Sequence, residues 1–438
     1  MLNWFEFTLR LNGYPIRKAK KHLHEIQQIP ESDYKAYVHK QRQNIVNYHL
    51  ENNSFYKTFV GDKSLENWED IPVMRKKDLQ IPLKERLSKG FKIKDCYINK
   101  TSGSSGHPLI FAKDKYCHAM TWAEIIDRFG WFNIDFNSSY QARFYGIPLD
   151  FVGNKKERLK DWLSHRFRFP IFNLSEQKLE LYFKTFKHKK FYYINGYTSS
   201  IVLFSKLLKD KDVVLTSVCP TLKYCVVTSE MLYDKDKVLL EKWLGVPVIN
   251  EYGAAELDLI AFTNPKNEFI ANSETLFVEI LDKNDQPVAN GFSGRIVITS
   301  FFNKAHPLIR YDIGDSGMLS EKSTPKNPIL LQLIGRTNDI ATLPSGKVVP
   351  GLTFYYVTKS VIEDDGNVKE FIMEQTMIDT FKISYVSERD LFPAEITKIE
   401  KALASYLENN LKLIFKREVL LNRSERGKLK QFVSKLEN

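Results

Sequence analysis

Between residues 95 and 250 the chain alternates short strand-like runs with helical ones, and this alternation limits the fold more than any other feature. Asp95–Lys100 reads as a strand that ends in a Gly/Ser loop, and Tyr116–Phe129 as a helix. Phe191–Asn195 and Lys223–Thr228 are strand-like, each followed by a helical stretch, Ser199–Leu208 and Asp234–Trp243. Val246–Asn250 is a further strand, expected to end at Glu251-Tyr252-Gly253. Strands separated by helices call for an α/β domain whose sheets are covered by helices.

Around this centre the character changes twice. The first 90 residues read as a helical N-terminal region, with Tyr34–Tyr48 a charge-rich exposed helix and Trp68–Leu79 a turn leading into another. Thr275–Leu281 and Gly294–Phe301 are rich in β-branched and aromatic residues and suggest a smaller β portion. After Asp339, strands at Phe371–Gln375, Phe381–Val386 and Lys416–Leu421 surround a helix with Ile396, Ile399, Leu403, Tyr406 and Leu407 on one face. The expected organisation is a large multi-subdomain N-terminal domain over 1–338 and a small, mobile α+β domain over 339–438. A chain of 438 residues is long enough for both.

Apolar residues at 43% and charged residues at 27% are ordinary for a globular chain. The net charge of +11 favours anionic ligands, but it is spread along the chain and matches no nucleic-acid motif. Cys96, Cys117, Cys219 and Cys225 form no C-x-x-C pair, so inert thiols in a reducing compartment are expected. The apolar stretch near the N-terminus carries Glu6 and Arg10 and makes a poor signal peptide. A cytoplasmic protein without stable membrane insertion is the expectation.

Five short motifs carry the chemistry. Thr101-Ser102-Gly103-Ser104-Ser105-Gly106-His107-Pro108 packs hydroxyls and glycines behind a strand, where backbone N–H groups can surround phosphates. It lacks the Gly-Lys-Ser/Thr of a Walker A loop. Glu251-Tyr252-Gly253-Ala254-Ala255-Glu256 offers a carboxylate for Mg²⁺ and an aromatic ring for a purine. Its bland alternative is a strand–turn–helix with Glu256 in the first helical turn. Ile309-Arg310-Tyr311-Asp312-Ile313-Gly314-Asp315 and Ile334-Gly335-Arg336-Thr337-Asn338-Asp339 supply groups that could bind ribose hydroxyls, and each alone reads as a turn with charged corners. Arg423-Ser424-Glu425-Arg426-Gly427-Lys428-Leu429-Lys430 alone reads as a solvated basic tail.

In this order the five resemble the core motifs of the adenylate-forming superfamily of acyl-CoA synthetases and luciferases. They are most like its phenylacetate–CoA ligase branch, which includes relatives from capsular polysaccharide biosynthesis. Trp68–Leu79 and Thr228-Ser229-Glu230 add to that likeness. The resemblance implies ATP-dependent activation of a small carboxylic acid as acyl-AMP, then transfer to CoA. It implies that Thr101, Ser102, Gly103, Ser104, Ser105 and Gly106 hold the ATP phosphates and that Glu256 binds Mg²⁺. Ser229, Glu230, Tyr252 and Gly253 would lie at the adenine, and Asp315 and Arg336 at the ribose. Asp339 would be the hinge, Lys428 the catalytic lysine, and Tyr145 and Tyr197 the flanks of an acyl pocket. The active site is expected between the two domains, and a homodimer is admitted.

Two positions depart from the pattern. His107 stands where Lys or Arg is common, and Ala255 where Ser or Thr is usual. Rival readings keep the adenylation but change the acceptor to an amine, a sugar or a cofactor, or reduce the chain to a degenerate nucleotide-binding protein. Lys430 is the rival to Lys428.

Overall fold

The computed structural model describes all residues except 1–3, 63–64, 102–108, 146–160, 163, 172–173, 175, 337–339, 347, 351–367, 407, 423–428, 430 and 437–438. Two compact units result, Met1–Leu333 and Ile334–Asn438.

The larger unit begins with helices α1 (Trp4–Leu11), α2 (Ile16–Gln27), α3 (Glu31–Asn52) and α4 (Ser54–Val60). Residues Trp68–Leu79 form two 3-10 turns, Trp68–Asp70 and Lys76–Leu79, rather than an α-helix. A hairpin follows, β1 (Tyr97–Lys100) against β2 (Ile110–Lys113), with Lys100 opposite Ile110. The loop of the first motif joins the two strands. The next helix, α5 (Lys115–Gly130), starts where the Asp114 carboxylate accepts hydrogen bonds from the N–H groups of Tyr116 and Cys117, both at 2.9 Å.

The centre is a seven-stranded sheet in the order β4-β3-β5-β6-β7-β8-β9. Its strands are β3 (Gln141–Phe144), β4 (Arg166–Phe169), β5 (Tyr193–Tyr197), β6 (Tyr224–Thr228), β7 (Val248–Ala254), β8 (Asp258–Thr263) and β9 (Phe269–Ala271). The strands from β4 to β7 are parallel, and β8 and β9 are antiparallel additions. Parallel strands need crossovers, supplied here by α6 (Glu176–His188), α7 (Thr198–Asp210) and α8 (Asp234–Leu244). One face packs Phe144, Phe169, Phe186 and Phe204 into a core with these helices. The other packs Tyr193, Val226, Ile249 and Phe262 with Phe129 of α5. Both faces are therefore covered, as the alternation in the sequence required.

Strand β7 corrects one expectation. It does not end before Glu251; it carries Glu251, Tyr252 and Gly253 within it. No helix follows Glu256, because the chain turns back into β8. The helical-turn alternative for Glu256 therefore falls.

Gly196 of β5 sits so close to β3 that an added Cβ would meet the Phe144 Cβ and carbonyl oxygen, both at 2.5 Å. Gly196→Ala is expected to lower stability by about 1–3 kcal/mol through forced separation of the two strands. Urea unfolding followed by tryptophan fluorescence checks this; an unchanged midpoint would mean that the strands part freely.

A second sheet, β10-β11-β12-β13, is built from β10 (Leu276–Leu281), β11 (Ser293–Ser300), β12 (Tyr311–Leu319) and β13 (Leu330–Arg336). Its apolar side packs Ile280, Ile296, Ile298 and Tyr311 against Ile45 and Val46 of α3 and Tyr56 and Val60 of α4.

The smaller unit contains a short hairpin, β14 (Ile340–Thr342) with β15 (Val348–Pro350). Its main sheet has the order β18-β17-β16-β19, from β16 (Val368–Met377), β17 (Thr380–Ser387), β18 (Lys412–Glu418) and β19 (Phe432–Ser434). Helix α9 (Pro393–Tyr406) contributes buried Ile399 and Leu403. The expected strand at Lys416–Leu421 lies earlier, at Lys412–Glu418. There Leu413, Phe415 and Arg417 pair with Phe381, Ile383 and Tyr385, a pattern set by the partner strand rather than by local propensity.

Candidate active site

Strand β7 brings the second motif against β12 of the second sheet. The Tyr252 hydroxyl donates to Asp315 Oδ2 at 2.7 Å, and the Tyr311 hydroxyl donates to Glu256 Oε1 at 3.0 Å. Tyr252 and Glu256 are nearly buried, with 8% and 6% of their surface exposed. Two hydrogen bonds therefore join two motifs more than 50 positions apart. Asp315 lies inside β12, so the charged-turn reading of its motif falls as well.

The neighbouring residues of that motif serve the fold. Arg310 is fully buried and donates to the carbonyl oxygens of Glu69, Ile71 and Asp285 at 2.9, 2.7 and 3.1 Å. Its Nε lies 3.5 Å from Glu279 Oε1. Burial raises the Glu279 carboxyl to about 7, against the pull of Arg310 and of the Trp68 indole N–H. Asp312 is taken by Arg295 Nη1 at 2.5 Å.

The turn that holds Glu256 is pinned from the β1–β2 hairpin. Lys113, at the end of β2 and only 2% exposed, is ion-paired to Asp258, and its Nζ lies 3.5 Å from the Ala255 carbonyl oxygen. Asp258 has a left-handed φ of 56°. A Cβ on Gly253 would lie 2.4 Å from the Asp258 carbonyl oxygen, which explains a glycine there. Lys113 was not singled out in the sequence; its partner 145 positions away gives no local signal.

Thr101 closes the base of its loop. Its N–H donates to the Leu109 carbonyl oxygen and its hydroxyl accepts from the Leu109 N–H, both at 2.9 Å. Ser102, Gly103, Ser104, Ser105, Gly106 and His107 lie outside the described residues, as do Asp339 and Lys428. Arg336 ends β13. Ser229 follows β6 with φ of 68°, and the Glu230 carboxylate accepts from the Ser199 N–H at 2.7 Å, at the start of α7. Glu230 therefore caps a helix in the observed structure. Tyr145 and Tyr197 do come together, with ring centroids 4.8 Å apart.

Glu256 meets the simplest demand of a Mg²⁺ site, a carboxylate held in place by a hydroxyl donor. No group of three or more His, Cys, Asp or Glu side chains suited to a metal occurs among the described residues. A Mg²⁺ bound by one carboxylate and by substrate phosphates fits such a donor set.

No family profile matches the chain. Protein CapK of Staphylococcus aureus is 23% identical over 405 residues, covering 87% of this chain and 85% of that one. Among solved structures, 2-hydroxyisobutyryl-CoA ligase in the postadenylation state superposes with a TM-score of 0.70 at 16% identity, covering 93% of this chain and 90% of that one. The chain has the fold of the adenylate-forming CoA ligases. That fold also accommodates the amide bond synthetase McbA of Marinactinospora thermotolerans, with a TM-score of 0.52 at 12% identity over 79% of this chain and 69% of that one. The expected α/β class, with a large N-terminal and a smaller C-terminal part, is thereby met. All four cysteines are free, and no helix among the described residues is long and apolar enough to cross a membrane.

Proposed function

We propose that the chain activates a small carboxylic acid with ATP. A carboxylate oxygen attacks the α-phosphorus, the bond to the β-phosphate oxygen breaks, and acyl-AMP and pyrophosphate form. In the second half-reaction the CoA thiol attacks the acyl carbonyl and AMP leaves. The observation that carries this reading is the Tyr252–Asp315 and Tyr311–Glu256 pair of contacts, which joins two motifs of the resemblance in this fold.

The residue roles follow from chemistry. Asp315 accepts hydrogen bonds, as ribose hydroxyls require, and the Tyr252 hydroxyl orients it. Tyr252 also offers a ring face to the adenine. Glu256 would hold Mg²⁺, which neutralises charge on the departing pyrophosphate. The Lys113–Asp258 ion pair keeps the Glu256 turn in position. An amine in place of CoA is the second reading, supported by the amide bond synthetase among the similar structures.

Pyrophosphate release measured over a panel of acids, with and without CoA, tests both readings. Release that depends on an acid, with acyl-CoA as product, supports the first; amide formation with an added amine and none with CoA supports the second. Glu256→Gln keeps the size and removes the charge. It is expected to raise the Mg²⁺ concentration needed for half-maximal release and to slow the first half-reaction. An unchanged Mg²⁺ titration would leave Glu256 with only its bond to Tyr311.

A further inference from the structure

The strand order places a crevice between β3 and β5. From β3 the chain passes to β4 on one side, and from β5 to β6 and β7 on the other. Where neighbouring parallel strands connect in opposite directions, a cleft opens at their carboxyl ends, and ligands bind there. Tyr145 follows β3 at this point and Tyr197 ends β5. Two tyrosines alone would suit an aromatic acid.

The layer beneath them is not apolar. Parallel register sets Arg143 beside Asn195 and also beside Arg168 of β4. Two residues further along, Tyr197 pairs with Thr228, and Thr228 with Glu251. Most polar groups in this layer already have partners. Asp161 accepts from Arg166 Nε at 2.5 Å and Arg168 Nε at 2.7 Å. Asn195 accepts from Gln141 at 3.1 Å and donates to the Val226 carbonyl oxygen at 3.3 Å. The Thr228 hydroxyl donates to Glu251.

Arg143 differs from its two arginine neighbours. Its guanidinium carbon lies 4.1 Å from the centroid of the Tyr145 ring, and its Nε is buried with no hydrogen-bond partner among the described residues. Asp161, the carboxylate that serves Arg166 and Arg168, is already shared between them. A desolvated donor of this kind opposes an apolar occupant and favours an acceptor oxygen.

Resting on acid activation as proposed above, we infer that Arg143 makes this crevice selective for a short acid with an oxygen substituent on its acyl chain. A hydroxyl, an oxo group or a second carboxylate would serve. Such an acid adds a hydrogen-bond acceptor at a guanidinium whose Nε has none among the described residues and whose charge already acts on Glu251. Thr228 and Glu251 stand beside it as the next polar pair. Unsubstituted aliphatic and aryl acids leave the donor unpaired and are selected against.

Acid-dependent ATP–pyrophosphate exchange with butyrate, 3-hydroxybutyrate, succinate and phenylacetate decides the point on the unmodified protein. A substituted acid is expected to exceed butyrate and phenylacetate in kcat/KM by about tenfold or more, since a site built to hydrogen-bond rejects analogues lacking the group. Arg143→Met should remove that preference while leaving the KM for ATP unchanged, and Arg143→Lys should restore part of it. Butyrate or phenylacetate as the best substrate of the unmodified protein overturns the inference and leaves acid activation standing. An Arg143→Met variant that slows all acids alike also overturns it. Exchange with none of the acids, here or across the wider panel, would overturn acid activation and the inference together.

Discussion

Lys428→Ala is expected to lower acid-dependent pyrophosphate release by about a hundred- to a thousandfold while sparing ATP binding, the usual scale for losing one electrostatic group at a reacting centre. Adenylation brings a carboxylate toward an anionic α-phosphate. A lysine offsets that repulsion and holds the approach geometry, so its charge matters more as the new bond forms than in the ground state. ATP affinity rests on many other contacts and should persist. Pyrophosphate release measured beside equilibrium nucleotide binding separates the two. Release near the parent rate would remove Lys428 from the chemistry, and Lys430→Ala should then be measured in its place.

The second large effect concerns stability. Arg310 is fully buried and joins the 3-10 turn after Trp68 to β10 and to the turn at Asp285, through three carbonyl oxygens and the Glu279 carboxylate. Arg310→Ala leaves Glu279 buried without that charge and three carbonyls without their donor. The expected loss is about 3–5 kcal/mol, typical of breaking a buried pair from one side. It would be seen as a shift of the urea transition to lower concentration. Adding Glu279→Leu should recover part of the loss, because replacing both partners removes the stranded charge. A single variant as stable as the parent would show that the carbonyls find other donors. The arginine of the third motif would then have no measurable part in the fold.

These two residues differ in how they could be read. Lys428 was singled out only by its place after Gly427 in a family-like motif, because nothing local separates it from a basic tail. Arg310 lay in a quoted motif, but its partners Glu69, Ile71, Asp285 and Glu279 are 25 or more positions away. No periodicity in the sequence encodes such contacts. Glu230 illustrates the converse. Its motif gave it a place at the adenine by resemblance alone, and the bond its carboxylate accepts from the Ser199 N–H at the N-terminus of α7 was not legible there.

The sequence by itself determined the layered α/β class, because strands that alternate with amphipathic helices must be covered on both faces. It located β5, β6 and β7 and the helices α5, α7 and α8 to within a few residues, since their hydrophobic period is local, but not β3, β4, β8, β9 or α6. It also supplied the candidate chemical groups, carboxylates, tyrosines, glycines and a C-terminal lysine, by motif and order. Only the tertiary structure decided that Tyr252 orients Asp315 and Tyr311 holds Glu256. Only the structure paired Lys113 with Asp258 beside that turn. It alone showed Arg143 Nε without a hydrogen-bond partner among the described residues, beneath two tyrosines. The physical reason is register: strand pairing sets which side chains share a row, and that pairing is fixed by packing across the whole sheet rather than by any segment of the chain.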